Sequence, residues 1–462
     1  MKYEDTIAAI STPSGAGGIS IVRVSGSAAE PIAQRIFKPE KAEHPLKSHR
    51  LYLGNIFDPV KEEVLDQVLC SLMRAPGTYT REDIVEFHCH GGPVIAARVL
   101  EMALNTGARL AQPGEFTRRA FLAGRIDLSQ AEAVVELINA RSSMESSLAA
   151  AQLTGGMFER AQAIRAPLVE ILAHIEVALD FPDESDEVMD WGLGAERILH
   201  EALGPLDELV QAYQKGRVFR EGVTVAIAGR PNVGKSSLLN AILKDERAIV
   251  TDLPGTTRDV IEAPANVHGL PLTLIDTAGL SHDPRDIAEV EGQKRARQRV
   301  EAADMVIMLM DQSRDLDPED RQIFRSFPQD RTLIVANKAD LPARWSPEEM
   351  LAFLGGKKSL VISAKTGEGL GDLGDAIFHF IIGMGSDRAS VPRIVPNLRH
   401  CQALNDARPA MIRASKGLKE GIPLELVAVD IREALDRIGL ITGQTTPEDV
   451  LDEIFGRFCL GK

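Results

Sequence analysis

Apolar positions along the chain change their spacing three times. Residues 1–118 carry short runs with strand spacing, Ile19–Val24, Gln67–Met73 and Ile84–His90, together with one helical pattern, Val94–Asn105. This mixture predicts an α+β domain. From 119 to 217 the spacing becomes helical. Leu168, Ile171, Leu172, Ile175 and Leu179 follow i, i+3, i+4, i+7 and i+11, the stripe of an amphipathic helix. From 218 to 382 apolar runs of strand length (Val223–Ala228, Leu272–Ile275, Thr332–Ala336, Leu360–Ile362) alternate with helical patterns such as Ser237–Leu243, as a parallel sheet with crossovers requires. From 383 to 462 the helical spacing returns in His400–Ala414 and Ile422–Ile438 and runs on through Pro447–Phe458. The expected fold is multidomain α/β and α+β. The N-terminal α+β domain comes first, and the helical domain is in two pieces, 119–217 and 383–462. The α/β domain, 218–382, is inserted between those pieces. No internal repeat or low-complexity tract interrupts this plan.

A length of 462 residues is consistent with about three domains. There is no basic-plus-apolar leader and no long uncharged apolar span, which argues against a secretory or membrane fate. Cys70, Cys89, Cys401 and Cys459 show no paired spacing and suit free thiols in a reducing cytoplasm. The net charge of −15 argues against broad nonspecific nucleic-acid binding. It leaves room for a local basic patch or a basic partner.

The inserted segment carries the sharpest chemistry. Gly229–Ser236 fits G-x-x-x-x-G-K-[ST], placed after an apolar run and before a helical one. Glycines let the N–H groups of Asn232, Val233, Gly234 and Lys235 turn around a β-phosphate, and the helix N-terminus adds its positive end. Lys235 supplies a point charge, the Ser236 hydroxyl suits Mg²⁺, and Ser237 continues the turn. Asp276-Thr277-Ala278-Gly279 follows another strand. Its aspartate can hold Mg²⁺ through water, and its glycine N–H can sense a γ-phosphate. In Asn337-Lys338-Ala339-Asp340, Asp340 can accept two hydrogen bonds from the guanine N1–H and N2–H₂ edge, while Asn337 and the Lys338 stem brace the base. Ser363-Ala364-Lys365 places a backbone N–H for guanine O6. Any one of these is compatible with a plain turn after a strand. All four in this order specify a GTP site of Ras-like P-loop type.

Two positions depart from the Ras pattern. Leu280 and Ser281 follow Gly279, so no local glutamine positions the attacking water. The segment after it carries Asp283, Asp286, Glu289 and Glu291, any of which could orient water or be a surface charge. Asn232 either makes a turn or ligates a monovalent cation such as K⁺ beside the phosphates. In the second reading Thr251, the Leu253 backbone and Thr256 add oxygens, and Thr257 ligates Mg²⁺.

Outside these motifs the chain resembles the MnmE (TrmE) family of bacterial tRNA-modification GTPases along nearly its whole length. The stretches that carry the resemblance are DTIAAISTPSGAGGISIVRVSG (5–26), EDIVEFHCHGGP (82–93), QPGEFTRRAFLAGRIDLSQAEAV (112–134) and the tail FCLGK (458–462). The resemblance implies that 1–118 binds tetrahydrofolate and mediates homodimerisation. It implies 5-formyl- or 5,10-methylene-tetrahydrofolate as one-carbon donor, held by Arg23, Glu86, Arg125 and Lys462. Arg125 stands where most family members have lysine. It further implies an FAD-dependent partner, MnmG (GidA), and a joint reaction that adds an aminomethyl or carboxymethylaminomethyl group to C5 of the wobble uridine of certain tRNAs. K⁺-stimulated pairing of GTPase domains would drive hydrolysis. By motif Glu291 orients the water, with Glu289 a competitor because the preceding stretch is longer than usual. Cys459 matches a cysteine proposed to act as a nucleophile; the competing reading is a packed tail thiol.

His88-Cys89-His90 resembles a metal cluster, but on a strand the two histidines share a face and the cysteine points away, which leaves too few ligands. Gly15, Gly17 and Gly18 read as a turn rather than a dinucleotide loop. Lys294–Arg299 reads as an exposed helix face or an RNA contact. Two other function classes compete: a ribosome-assembly GTPase switch, for which no KH-like G-x-x-G loop follows the inserted domain, and a folate-dependent methyltransferase with GTPase regulation.

Overall fold

In the computed structural model the described residues are 5–41, 46–58, 61–140, 142–181, 190–245, 262–276, 302–383, 393–459 and 461–462. The strand-spaced runs of the N-terminal region build a seven-stranded sheet. Its strands are β1 (Ile7–Ile10), β2 (Ile19–Ser25), β3 (Phe37–Pro39), β4 (Arg50–Asp58), β5 (Glu63–Met73), β6 (Ile84–His90) and β7 (Arg109–Leu110), in the order β3-β4-β5-β6-β2-β1-β7. All pairs are antiparallel except β1 with β7. Period-two alternation puts Val22, Val24, Cys70, Leu72, Val85 and Phe87 on one face, buried against helices Ala29–Ile36 and Pro93–Asn105. On the other face Ile7 and Ala9 are covered by Phe116 and Tyr79, while Leu51, Leu53, Leu69 and Ile19 remain exposed.

The two helical stretches do pack together, as expected for a helical domain interrupted by an insertion. Helix Gly156–Asp180 lies against helix Leu424–Thr442. Its buried face is Met157, Ala161, Ile164, Leu168, Ile171, Ile175 and Ala178. Leu172 and Leu179 of the expected stripe sit at its half-buried margin. Arg165 Nη1 donates to the Leu435 carbonyl at 2.6 Å. The tail helix Glu448–Gly456 is held by Phe121, Phe455 and Phe458, with centroid separations of 6.2 and 5.6 Å along that chain of rings. All of this belongs to one compact unit, comprising 1–138, 150–207 and 399–462.

The second compact unit comprises 139–149 and 208–398. Its sheet has six strands: β8 (Val223–Ala228), β9 (Glu262–Val267), β10 (Leu270–Asp276), β11 (Met305–Asp311), β12 (Thr332–Asn337) and β13 (Ser359–Val361). They lie in the order β13-β12-β11-β8-β10-β9, parallel except for the β9–β10 hairpin. β11 reads MVIMLMD and is buried throughout. Helices and loops cover both faces, so no alternation marks it in the sequence. The parallel order brings the C-terminal ends of β8, β10, β11 and β12 to one rim, where ligands of open α/β sheets bind.

Candidate functional site

Between the end of β8 and the helix Lys235–Asp245, the backbone turns with φ of +149° at Gly229, +65° at Asn232 and +103° at Gly234. A Cβ on Gly229 would stand 2.3 Å from the Leu309 carbonyl, and one on Gly234 2.3 Å from Asn337 Nδ2. Both positions therefore exclude side chains. Positive φ at these residues makes the concave N–H nest that an anion requires, at the N-terminus of an 11-residue helix. Lys235 Nζ donates to the carbonyls of Gly229 (2.8 Å) and Arg230 (3.0 Å), so its charge sits inside the loop. Val233 is buried; Ser236 and Ser237 lie exposed in the first turn.

Asn337, the last residue of β12 and only 2 % exposed, ties two loops with one amide. Its Nδ2 donates to the Val233 carbonyl at 2.8 Å, and its Oδ1 accepts from the Ala364 N–H at 2.9 Å. The structure thus joins the phosphate loop to Ser363-Ala364-Lys365. Lys338, at φ +69°, pairs with Asp311 at 2.6 Å. Asp340 Oδ1 accepts from the Ser363 hydroxyl at 2.8 Å, and Lys365 Nζ lies 3.8 Å from its Oδ2. The Ser363 hydrogen bond, with the charges of Lys365 and Lys338, outweighs burial and lowers the Asp340 pKa. Asp340 is therefore an ionised acceptor at neutral pH, the state a guanine edge needs. Asp311 went unread in the sequence, although an aspartate closing a wholly apolar strand was the available signal. Burial raises its pKa, but the Lys338 and Ser313 contacts more than reverse this.

Asp276 closes β10, in register with Ile227 of β8, and so reaches the same rim. Thr251, Leu253, Thr256, Thr257, Thr277, Ala278, Gly279, Asp283, Asp286, Glu289 and Glu291 lie outside the described residues, as does Lys294–Arg299.

A second cluster sits on the N-terminal sheet. Arg23 and Glu86 are register partners on β2 and β6, and Arg23 Nε bonds Glu86 Oε1 at 2.8 Å. The Arg23 guanidinium lies 5.7 Å from the centroid of Phe116. Tyr79 donates to or accepts from Thr117 at 3.1 Å. Burial raises the Tyr79 pKa, opposed by the Thr117 bond and by the charges of Arg23 and Arg125. Arg125 itself is exposed. Gly461 packs where a Cβ would be 2.3 Å from the Ile10 carbonyl, and its own carbonyl accepts from the Ser11 hydroxyl at 2.9 Å. The tail thus brings half-buried Lys462 to the end of β1, with Cys459 exposed. Tyr79 and Phe116 were not singled out in the sequence, because aromatic core residues carry no local motif.

His88 Nε2 lies 3.5 Å from Glu86, His90 Nδ1 lies 2.6 Å from Asp66, and Cys89 is buried on the opposite face. Among the described residues no group of three or more His, Cys, Asp or Glu could hold a metal ion. Gly17 pairs its N–H with the Gly91 carbonyl at 2.8 Å, so the Gly15–Gly18 segment is a turn packed on the loop after β6.

Family models add the deciding observation. The MnmE helical domain matches residues 128–459, and the GTP-binding protein TrmE N-terminus matches residues 6–125. The chain belongs to the MnmE family of tRNA modification GTPases. It is 43% identical over 466 residues to the tRNA modification GTPase MnmE of Acetivibrio thermocellus, with 100% of each chain covered. It is 45% identical over 464 residues to that of Geobacter metallireducens, again with 100% of each covered. As a member of the MnmE family it is a GTPase of tRNA modification. Among the described residues no helix is long and apolar enough to cross a membrane.

Proposed function

We propose that this chain hydrolyses GTP to drive modification at C5 of the wobble uridine of certain tRNAs, in the cytoplasm and together with the FAD-dependent MnmG (GidA). The group added is aminomethyl or carboxymethylaminomethyl. The observation that carries the GTP half is the Asn337 amide, which locks the phosphate loop to the loop that faces guanine O6. Asn232, Val233, Gly234 and Lys235 cradle the phosphates, with Ser236 and Thr257 as Mg²⁺ ligands. Asn232 at positive φ, with its side chain exposed at the loop, fits a K⁺ ligand beside the phosphates, where the ion would supply positive charge to the transition state. Thr251, Leu253 and Thr256 complete that set in this reading, and Glu291 orients the water.

The N-terminal cluster fits a folate. The Glu86 carboxylate, held by Arg23 at 2.8 Å and 3.5 Å from His88 Nε2, suits an amino-pyrimidine edge, with Arg23 beside it in the site, and Arg125 and Lys462 suit a glutamate tail. The bound folate would supply a one-carbon unit. In this reading Cys459, which is exposed, adds to C6 of the uracil. The thiolate would form an S–C6 bond, and the C5=C6 electron pair would form the new C–C bond from C5 to the one-carbon unit. Loss of the C5 proton to a base would then re-form C5=C6 as the C6–S bond breaks and the thiolate leaves. The exposed apolar face of Leu51, Leu53, Leu69 and Ile19 supports pairing of two N-terminal domains.

GTP turnover measured in KCl and in NaCl tests the cation reading. Turnover rises in K⁺, and Asn232→Ala removes the difference. Equal turnover in both salts overturns it.

A further inference from the structure

The second residue of the phosphate loop carries an ion-pair network that neither the motif nor the family reading uses. Arg230 Nε lies 2.8 Å from Glu319 Oε2, and its Nη1 lies 3.0 Å from Asp317 Oδ2 and 3.8 Å from Asp320 Oδ2. The three carboxylates crowd the start of helix Pro318–Arg325. There Asp317 is the N-cap, accepts from the Glu319 N–H at 2.9 Å, and forms a capping box with Asp320. The helix N-terminus favours these carboxylates, and the guanidinium is the cation that lies against all three. This acidic helix follows β11, which is register-paired with β8, the strand that feeds the phosphate loop. The same β11 ends in Asp311, which holds Lys338 of the guanine loop. At its other end Arg230 offers its carbonyl to Lys235 Nζ.

We infer that Arg230 is a positioning residue for the phosphate loop: its clamp on Asp317 and Glu319 fixes the loop's outer wall, and with it the carbonyls that hold Lys235, before nucleotide arrives. This rests on reading residues 229–237 as the phosphate loop. Because GDP and GTP both carry the β-phosphate that the wall faces, the clamp raises affinity for both in parallel and leaves base preference alone. Preorganisation of this kind acts by removing ordering entropy from the binding step. The acids are about two-fifths exposed at Asp317 (41%) and Glu319 (40%), so the effect is moderate.

Equilibrium binding of a fluorescent GDP analogue and of a non-hydrolysable GTP analogue to the full chain tests this. Arg230→Ala raises both Kd values about fivefold, Arg230→Lys recovers part of the loss, and the Asp317→Asn/Glu319→Gln pair gives the same loss. Combining the two sets adds nothing further, because they remove one interaction. Unchanged Kd values in Arg230→Ala, or losses that simply add, overturn the clamp. If Arg230→Ala does not accumulate as folded protein, Arg230→Lys and the carboxylate pair carry the same test. Lys235→Ala is the separate control: retention of nucleotide by that variant sinks the phosphate-loop reading itself, independently of Arg230.

Discussion

Asn337 shows how much one side chain can decide. Its amide satisfies the Val233 carbonyl and the Ala364 N–H in a buried site. Asn337→Ala leaves both without that partner, at about 1–3 kcal/mol for each buried group left unsatisfied. The expected outcome is loss of GDP and GTP affinity together with a lowered melting temperature; unchanged affinity would contradict the bridging role. Asp340→Asn exchanges an acceptor for a donor opposite the N2 amino group of guanine, so preference moves toward xanthosine triphosphate. Competition binding that still favours GTP would count against Asp340 as the base contact. At this scale the sequence was most legible where chemistry needs backbone. Gly229 and Gly234 recur in a motif because neither place has room for a Cβ. Asp311, Arg230 and Tyr79 stayed unread because their partners come from elsewhere in the fold: Lys338, the Asp317–Asp320 cap, and Thr117.

Among elements, the longer patterned ones were legible. Ile84–His90 is a strand over its whole expected span, and Val94–Asn105 gains only Pro93 at its start. Strands β1, β3, β4 and β9 were not singled out, and neither was β11. β1 and β3 are short and β9 is an edge strand, β11 is apolar on both faces, and in the nine-residue β4 the central Gly54-Asn55 pair reads as a turn in the sequence. Packing between elements was invisible beforehand. Glu132 of helix Leu128–Asn139 pairs with Arg399 Nε at 2.7 Å and with fully buried His400 Nε2 at 2.8 Å on helix Leu398–Glu420. Burial would raise the Glu132 carboxyl, but His400 and Arg399 reverse this and hold it well below the usual carboxylate range. Glu115 behaves alike: burial raises it, and Arg109, the Gln112 N–H and Arg119 lower it further than that. A carboxylate whose folded pKa is depressed contributes stability above its unfolded pKa, about 4.3 for Glu, and loses that contribution as pH falls through the folded value. Unfolding followed by circular dichroism is expected to show full stability near pH 6 and a steady decline below about pH 4.3. Glu132→Gln, which leaves Arg399 without its buried counter-charge, is expected to cost about 3–5 kcal/mol. A flat acid profile, or a Glu132→Gln protein as stable as the parent, would contradict this network as a stabilising device.

For the whole molecule, three changes of apolar spacing foretold an α+β region, an interrupted helical domain and an inserted parallel sheet. The reason is physical: each architecture buries its elements differently, and burial sets the period. Contacts that depend on distant chain segments, such as Gly461 against Ile10, had no local signature and became visible only in the fold. The net charge of −15 fits a protein that meets RNA through a confined surface or a partner rather than through overall attraction. The central claim is that GTP hydrolysis here serves wobble-uridine modification. Mass spectrometry of wobble-position nucleosides in tRNA from cells lacking this chain tests it most directly. The account predicts loss of the 5-aminomethyl-type modification, restored by the intact gene. An unchanged nucleoside profile would contradict it.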